Sequence, residues 1–117
     1  MVLMRVTVLN GRDLKDLDPP TGHDLSDPYV ELWIENKEDT VMKTEVKSHT
    51  NNPEWNESFT FDCNLHEKLC VQARERDNEK GNSDDLIGCR FLHIESGDVV
   101  VDFGPRGRVN LFIDYSL

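Results

Sequence analysis

Apolar residues return at every second position in several short windows of the chain, the spacing that sets one face of a strand against a core. Val2, Met4, Val6 and Val8 alternate with Leu3, Arg5, Thr7 and Leu9, and Val30, Leu32 and Ile34 alternate with Glu31, Trp33 and Glu35. Met42, Thr44 and Val46 sit between Lys43, Glu45 and Lys47; Phe59, Phe61 and Cys63 flank Thr60 and Asp62; Leu69, Val71 and Ala73 alternate with Cys70, Gln72 and Arg74. Further strands are expected over Leu86 to Ile94, Val99 to Phe103 and Val109 to Tyr115, the last with Val109, Leu111, Ile113 and Tyr115 on one face. Turn formers separate these windows: Asp18-Pro19-Pro20-Thr21-Gly22, Asn51-Asn52-Pro53, Glu79 to Ser83, Ser96-Gly97-Asp98 and Gly104-Pro105-Arg106-Gly107. Only Leu65 to Leu69 hints at a helical turn. About eight short strands with no long helix predict an all-β fold, an eight-stranded antiparallel β-sandwich.

A length of 117 residues suits one domain, residues 1–117, and the 37% of hydrophobic residues lets it bury a core without disulfides or a structural metal. Any metal is therefore expected to serve function. Thirteen Lys and Arg against 23 Asp and Glu give a formal net charge of -10, which repels nucleic acid and anionic membranes alike. A partner must be cationic or arrive with a cation, and nucleic acid is not expected. The cysteines, Cys63, Cys70 and Cys89, are odd in number and form no Cys-x-x-Cys pair, which points to a reducing, cytoplasmic setting. No apolar stretch approaches the roughly 18 residues of a spanning helix, and Met1 to Leu9 lacks the pattern of a secretory signal. Membrane contact is expected to be peripheral and reversible.

Charge is also unevenly placed. Asp16, Asp18, Asp24 and Asp27 precede the strand that starts at Tyr29, and Glu75, Asp77, Glu79, Asp84 and Asp85 lie between two later strands. Taken singly, such loops are usually solvated turns. If both lie at one end of the sandwich, their carboxylates repel one another unless a cation neutralises them. Calcium, which takes six to eight oxygen ligands in flexible geometry, suits irregular acidic loops better than magnesium; zinc would call for His or Cys.

Leu25-Ser26-Asp27-Pro28-Tyr29-Val30-Glu31-Leu32, then Asn52-Pro53-Glu54-Trp55-Asn56-Glu57-Ser58-Phe59-Thr60-Phe61, then Asp84-Asp85-Leu86-Ile87-Gly88 resemble the C2 domain in order and spacing. The resemblance implies a sandwich whose loops at one end bind calcium ions and dock on phospholipid. The strand closing the chain at Val109 to Tyr115 resembles the type II topology of phospholipase-type and novel protein kinase C-type C2 domains, in which the extra strand is C-terminal. Arg108 to Asp114 is similar to the kinase group, and Tyr29 to Ile34 with Trp55-Asn56-Glu57 to cytosolic phospholipase A2.

The resemblance also implies metal ligands. Asp27 matches the aspartate of the Ser-Asp-Pro-Tyr element, with Asp24 as its preferred first-loop partner and Asp18 second. In the third loop, the alternation Val71-x-Ala73-x-Glu75-x-Asp77 brings forward Glu75 and Asp77, whereas counting back from Asp85 gives Glu79 and Asp77. Either Asp84 or Asp85 would supply the late ligand.

Catalytic motifs are missing: there is no Gly-x-Ser-x-Gly, no His-Glu-x-x-His and no phosphate-cradling glycine loop, and His23, His49, His66 and His93 are scattered. The expected function is calcium-dependent binding to anionic phospholipid membranes. The alternative is a calcium-independent module that meets a protein partner or a phosphoinositide through a basic patch of Lys43, Lys47, Arg74 and Arg76. The stretches Asp18 to His23 and Asn78 to Ser83 carry no aromatic and no aliphatic side chain beyond proline, so membrane attachment is expected to be electrostatic rather than inserted.

Overall fold

The structure is a computed structural model and describes residues 1–15, 27–76 and 84–116. Its strands are β1 (Val2–Arg12), β2 (Pro28–Ile34), β3 (Lys37–Lys43), β4 (Glu54–Cys63), β5 (Lys68–Glu75), β6 (Asp85–His93), β7 (Gly97–Asp102) and β8 (Arg108–Ser116), with one 3-10 turn at Gly104–Arg106. They form two four-stranded antiparallel sheets, β4-β1-β8-β7 and β3-β2-β5-β6. The last strand pairs with the first over most of its length, Leu3 opposite Ser116 through Arg12 opposite Arg108, with β7 on its other side. That is the C-terminal extra strand expected from the resemblance.

Alternation explains the core. Val2, Met4, Val6 and Val8 from β1, Val30, Leu32 and Ile34 from β2, Leu69, Val71 and Ala73 from β5, and Val109, Leu111 and Ile113 from β8 all belong to one buried cluster between the sheets. Trp55, Phe61 and Cys63 add the β4 row. Cys63 and Cys70 are buried and Cys89 is partly so. Burial pushes all three thiols up, Cys70 to about 11, which leaves them weakly acidic packing residues.

The third strand differs from its expected place. The Met42-Thr44-Val46 alternation is not a core row: β3 runs earlier, over Lys37–Lys43, with Val41 and Met42 each 41% exposed. As an edge strand it has no neighbour to bury its outer flank. Thr44 is buried for a different reason, because its hydroxyl accepts the Val30 N–H at 2.9 Å while its own N–H donates to the Val30 carbonyl. At Leu65 to Leu69 the chain makes a turn closed by Glu67 N–H to the Asn64 carbonyl, and β5 begins at Lys68.

Antiparallel pairing places the ends of β1, β3, β5 and β7 and the starts of β2, β4, β6 and β8 together at one end of the sandwich. Gly107 shows how tightly that end is built. It sits at φ +104 and a Cβ there would overlap the carbonyl oxygens of Arg12 and Asp13, so the β7–β8 turn can lie directly on the stem of the first connection. Lys15 N–H donates to the Arg106 carbonyl across the same contact.

Candidate metal centre at the loop end

Glu75 continues the inward row Leu69, Val71, Ala73 by one more step, past the point where the core ends. The register sets Pro28 opposite Glu75 on one side and Asp85 opposite Glu75 on the other. Directly opposed residues share a face and lie about 5 Å apart. Glu75 and Asp85 therefore stand side by side on the inner face of the sheet, and Asp27 precedes Pro28 at the mouth of the same line. The backbone there is closed by Arg76 N–H to the Asp27 carbonyl at 3.0 Å.

Asp27 is held from the opposite side. Its Oδ1 accepts the backbone N–H of His49 at 2.8 Å, and His49 sits at φ +55, in the left-handed region that turns this N–H towards the carboxylate. The rest of connection 44–53 grips both stems of the first connection. Gly11 and Leu14 donate their N–H groups to the carbonyls of Pro53 and Asn51, Asp13 N–H donates to Asn52 Oδ1 at 3.0 Å, and Lys47 N–H donates to the Pro28 carbonyl. The Asn51-Asn52-Pro53 turn thus holds the end of β1, while Lys47 of the same connection holds the start of β2.

Asp84 faces the other way. Tyr29 lies on the outer face, opposite Arg74, and its hydroxyl donates to Asp84 Oδ2 at 2.6 Å. Tyr29 is 7% exposed yet is not part of the core cluster. Burial first, then the bond to Asp84, pushes the phenol well above its ordinary value. Arg74 extends the network: Nη1 donates to the Asp84 carbonyl at 3.1 Å and Nε to Glu31 Oε1 at 2.8 Å, where Gln72 Nε2 also donates. Lys43 approaches the same Glu31 at 3.7 Å, and Lys47 approaches Glu45 at 3.5 Å. Of the expected basic patch, then, Lys43, Lys47 and Arg74 each have a carboxylate at hand.

Among the eight carboxylates read from the sequence as ligands, Asp27, Glu75, Asp84 and Asp85 fall within the described residues, while Asp18, Asp24, Asp77 and Glu79 lie outside them. Glu75 and Asp85 stand opposite each other at the end of the β5–β6 ladder, and Asp27 immediately precedes the Pro28 that pairs with Glu75; Asp84 is drawn to Tyr29 on the outer face. Among the described residues, no group of three or more His, Cys, Asp or Glu closes into a site that could hold a metal ion by itself. The donor chemistry on that edge is nevertheless of one kind, carboxylate oxygen on strand ends and loop stems, which suits a hard cation such as calcium. The contributions of Tyr29 and of the His49 N–H were not legible: Tyr29 stood out only as part of the Asp27-Pro28-Tyr29 element, and nothing local pairs it with a residue 55 positions away.

Among the described residues no helix is long and apolar enough to cross a membrane. The family model for the C2 domain matches residues 2–108 and so stops where β8 begins. Multiple C2 and transmembrane domain-containing protein 1 of Homo sapiens is 31% identical over 86 residues, which is 74% of this chain and 8% of that protein. A C2 domain of plant extended synaptotagmin 1 superposes with a TM-score of 0.80 at 22% identity, covering 97% of this chain and 93% of that one. Human GIVD cytosolic phospholipase A2 gives a TM-score of 0.78 at 20% identity, over 97% of this chain and 17% of the enzyme. At these identities the structural likeness is one of fold, and it includes the closing strand that the family model leaves out. With its motifs, its two sheets and the span of the family match in agreement, the chain belongs to the C2 domain family.

Proposed function

We propose that this domain binds calcium at the end carrying Asp27, Glu75 and Asp85 and, with calcium bound, docks on anionic phospholipid. The observation that carries this reading is the continuation of an apolar inward row into an acidic one: Val71 and Ala73 are fully buried, and the next inward residue, Glu75, is flanked by Asp85 and by the Asp27-Pro28 corner. Carboxylates so placed repel each other in the metal-free protein. In this reading Asp27, Glu75 and Asp85 supply the strand-borne ligands, and Asp18 or Asp24 with Asp77 or Glu79 supply the loop-borne ones. Calcium contributes charge neutralisation and coordination positions that lipid phosphate or carboxylate oxygens can fill.

The chain's own part is orientation. His49 N–H holds one oxygen of Asp27, and the 44–53 connection holds the stems that carry the first loop. Attachment is then electrostatic, at the cytoplasmic surface of a membrane and reversible with calcium, and the domain supplies location rather than catalysis. A calcium-independent module acting through Lys43, Lys47, Arg74 and Arg76 is the weaker reading, because Glu31 and Glu45 already engage three of those cations.

Vesicle sedimentation tests the proposal. Binding to phosphatidylserine vesicles should require calcium, be nearly absent on pure phosphatidylcholine, and fall as salt shortens the Debye length from about 30 Å at 0.01 M to about 8 Å at physiological ionic strength. Salt-insensitive binding, or equal binding in chelator, would show the mechanism to be wrong.

A further inference from the structure

Asp84 and Asp85 are adjacent, and adjacent strand residues point to opposite faces of a sheet. Asp85 opens β6 directly opposite Glu75 on the inner side, whereas Asp84 carries its carboxylate to Tyr29 on the outer side. Where β6 starts therefore decides which of the two looks into the metal centre. That start is not secured by the β-ladder alone. The β5–β6 register shifts between Ala73, opposite Gly88, and Arg74, opposite Leu86, which leaves Ile87 without a cross-strand partner. A one-residue slip beside such a bulge would exchange the two faces and turn Asp85 out and Asp84 in.

We infer that Tyr29 and Asp84 form a latch that fixes this register, and that Asp84 is a positioning residue rather than a calcium ligand; the calcium part of this inference rests on the function proposed above. The 2.6 Å distance is that of a charge-assisted O–H···O⁻ bond. Tyr29 has little freedom to leave it, being 7% exposed and paired with Arg74 one rung inside the start of β2. Arg74 adds a second hold on the same residue through the Asp84 carbonyl, and is itself anchored to Glu31. Asp84 is thus gripped by carboxylate and by backbone from the outer face, and Asp85 is left on the inner line beside Glu75.

The test sets Tyr29→Phe, Asp84→Ala, Asp84→Asn and Asp85→Asn against the unmodified domain, with calcium affinity measured by calorimetry and metal-free amide exchange followed at Leu86 to Gly88. Asp84→Asn keeps a carbonyl acceptor for the phenol and should bind calcium within about twofold of wild type, while Asp85→Asn should lose about tenfold or more. Tyr29→Phe and Asp84→Ala should each weaken calcium severalfold and speed exchange at Leu86 to Gly88. Combining them should cost no more than the worse single change, because both break one contact. Asp84→Asn as damaging as Asp85→Asn would make Asp84 a ligand and overturn the assignment. Wild-type exchange in Tyr29→Phe would remove the latch. If the unmodified domain binds no calcium at millimolar concentration, the proposed function fails, and the exchange measurements still decide for or against the latch.

Discussion

The central β2–β5 ladder has two halves built from the same strands on the same face. In the lower half Leu32 stands opposite Val71, Ile34 opposite Leu69 and Val30 opposite Ala73, and all of them are fully buried. In the upper half the next inward pair is Pro28 and Glu75, with Asp85 beyond. Period-two geometry is unbroken through both; only the chemistry changes. The lower half stabilises the fold by removing apolar surface from water, and the upper half gathers carboxylates, which in the function proposed above a cation would neutralise. Stability and proposed function are thus stored in successive rungs of one ladder, and changes to each should leave different signatures.

The largest effect belongs to the strand that closes the lower half from the other sheet. Deleting 108–117 removes Val109, Leu111 and Ile113, which are buried to within 1% of full, and strips pairing from β1 and β7 together. Each such side chain is worth about 1.5–3 kcal/mol when buried, against a usual total of about 5–15 kcal/mol. The truncated chain is expected to lose cooperative unfolding altogether, as followed by circular dichroism in urea. A sharp transition would show that β8 is dispensable to the core.

A single rung should cost less. Leu32→Ala or Ile113→Ala deletes a fully buried side chain and is expected to destabilise the domain by about 2–5 kcal/mol, with the urea midpoint falling equally with calcium and with chelator. A loss that calcium abolishes would mean that the two halves are not separate.

Most of the lower half was legible in the sequence, because β1, β4 and β8 bury one face and leave the other largely open, and β2 and β5 keep a fully apolar row on the core side against a more polar, partly buried outer face. The edge strands were harder. β3 exposes both its flanks, so its hydrophobic pattern carries no face, and the alternation around Thr44 is the trace of a hydrogen bond rather than of a core row. At the upper half, Glu75 was phased by counting two from Ala73, which needs only strand parity. The sequence does not choose between Asp84 and Asp85, since which face each takes depends on the irregularity at Ala73 and Arg74 and on a phenol contributed by β2, and neither is a local property of the chain.

At the upper half, Asp27→Asn should do almost the reverse of a core truncation. It removes one of the crowded charges, so metal-free stability should hold or rise slightly, whereas stabilisation by calcium should disappear. For an intact site that stabilisation is about 2.7 kcal/mol at a calcium concentration of 100 times Kd. Thermal unfolding with calcium and with chelator reads both effects at once; a mutant that still gains stability from calcium as wild type does would take Asp27 out of the site.

The smallest effect lies at the far end of the sandwich, where a carboxylate does the opposite of those in the metal centre. Glu67 Oε1 accepts the Asn64 N–H at 2.7 Å, and Lys37 Nζ approaches Oε2 at 3.0 Å. The Asn64 N–H first, and Lys37 after it, hold this carboxyl below its ordinary value. The ionised form is therefore favoured by folding, and its contribution is fully present above the ordinary carboxylate pKa and fades as pH falls through the lowered folded value. Glu67→Gln should accordingly cost under about 1 kcal/mol at neutral pH, because the group sits in a screened turn. The difference from wild type should close in acid and should be the same with and without calcium. Urea midpoints compared at neutral and acidic pH would measure it, and a difference that widened on acidification would contradict the sign argued here.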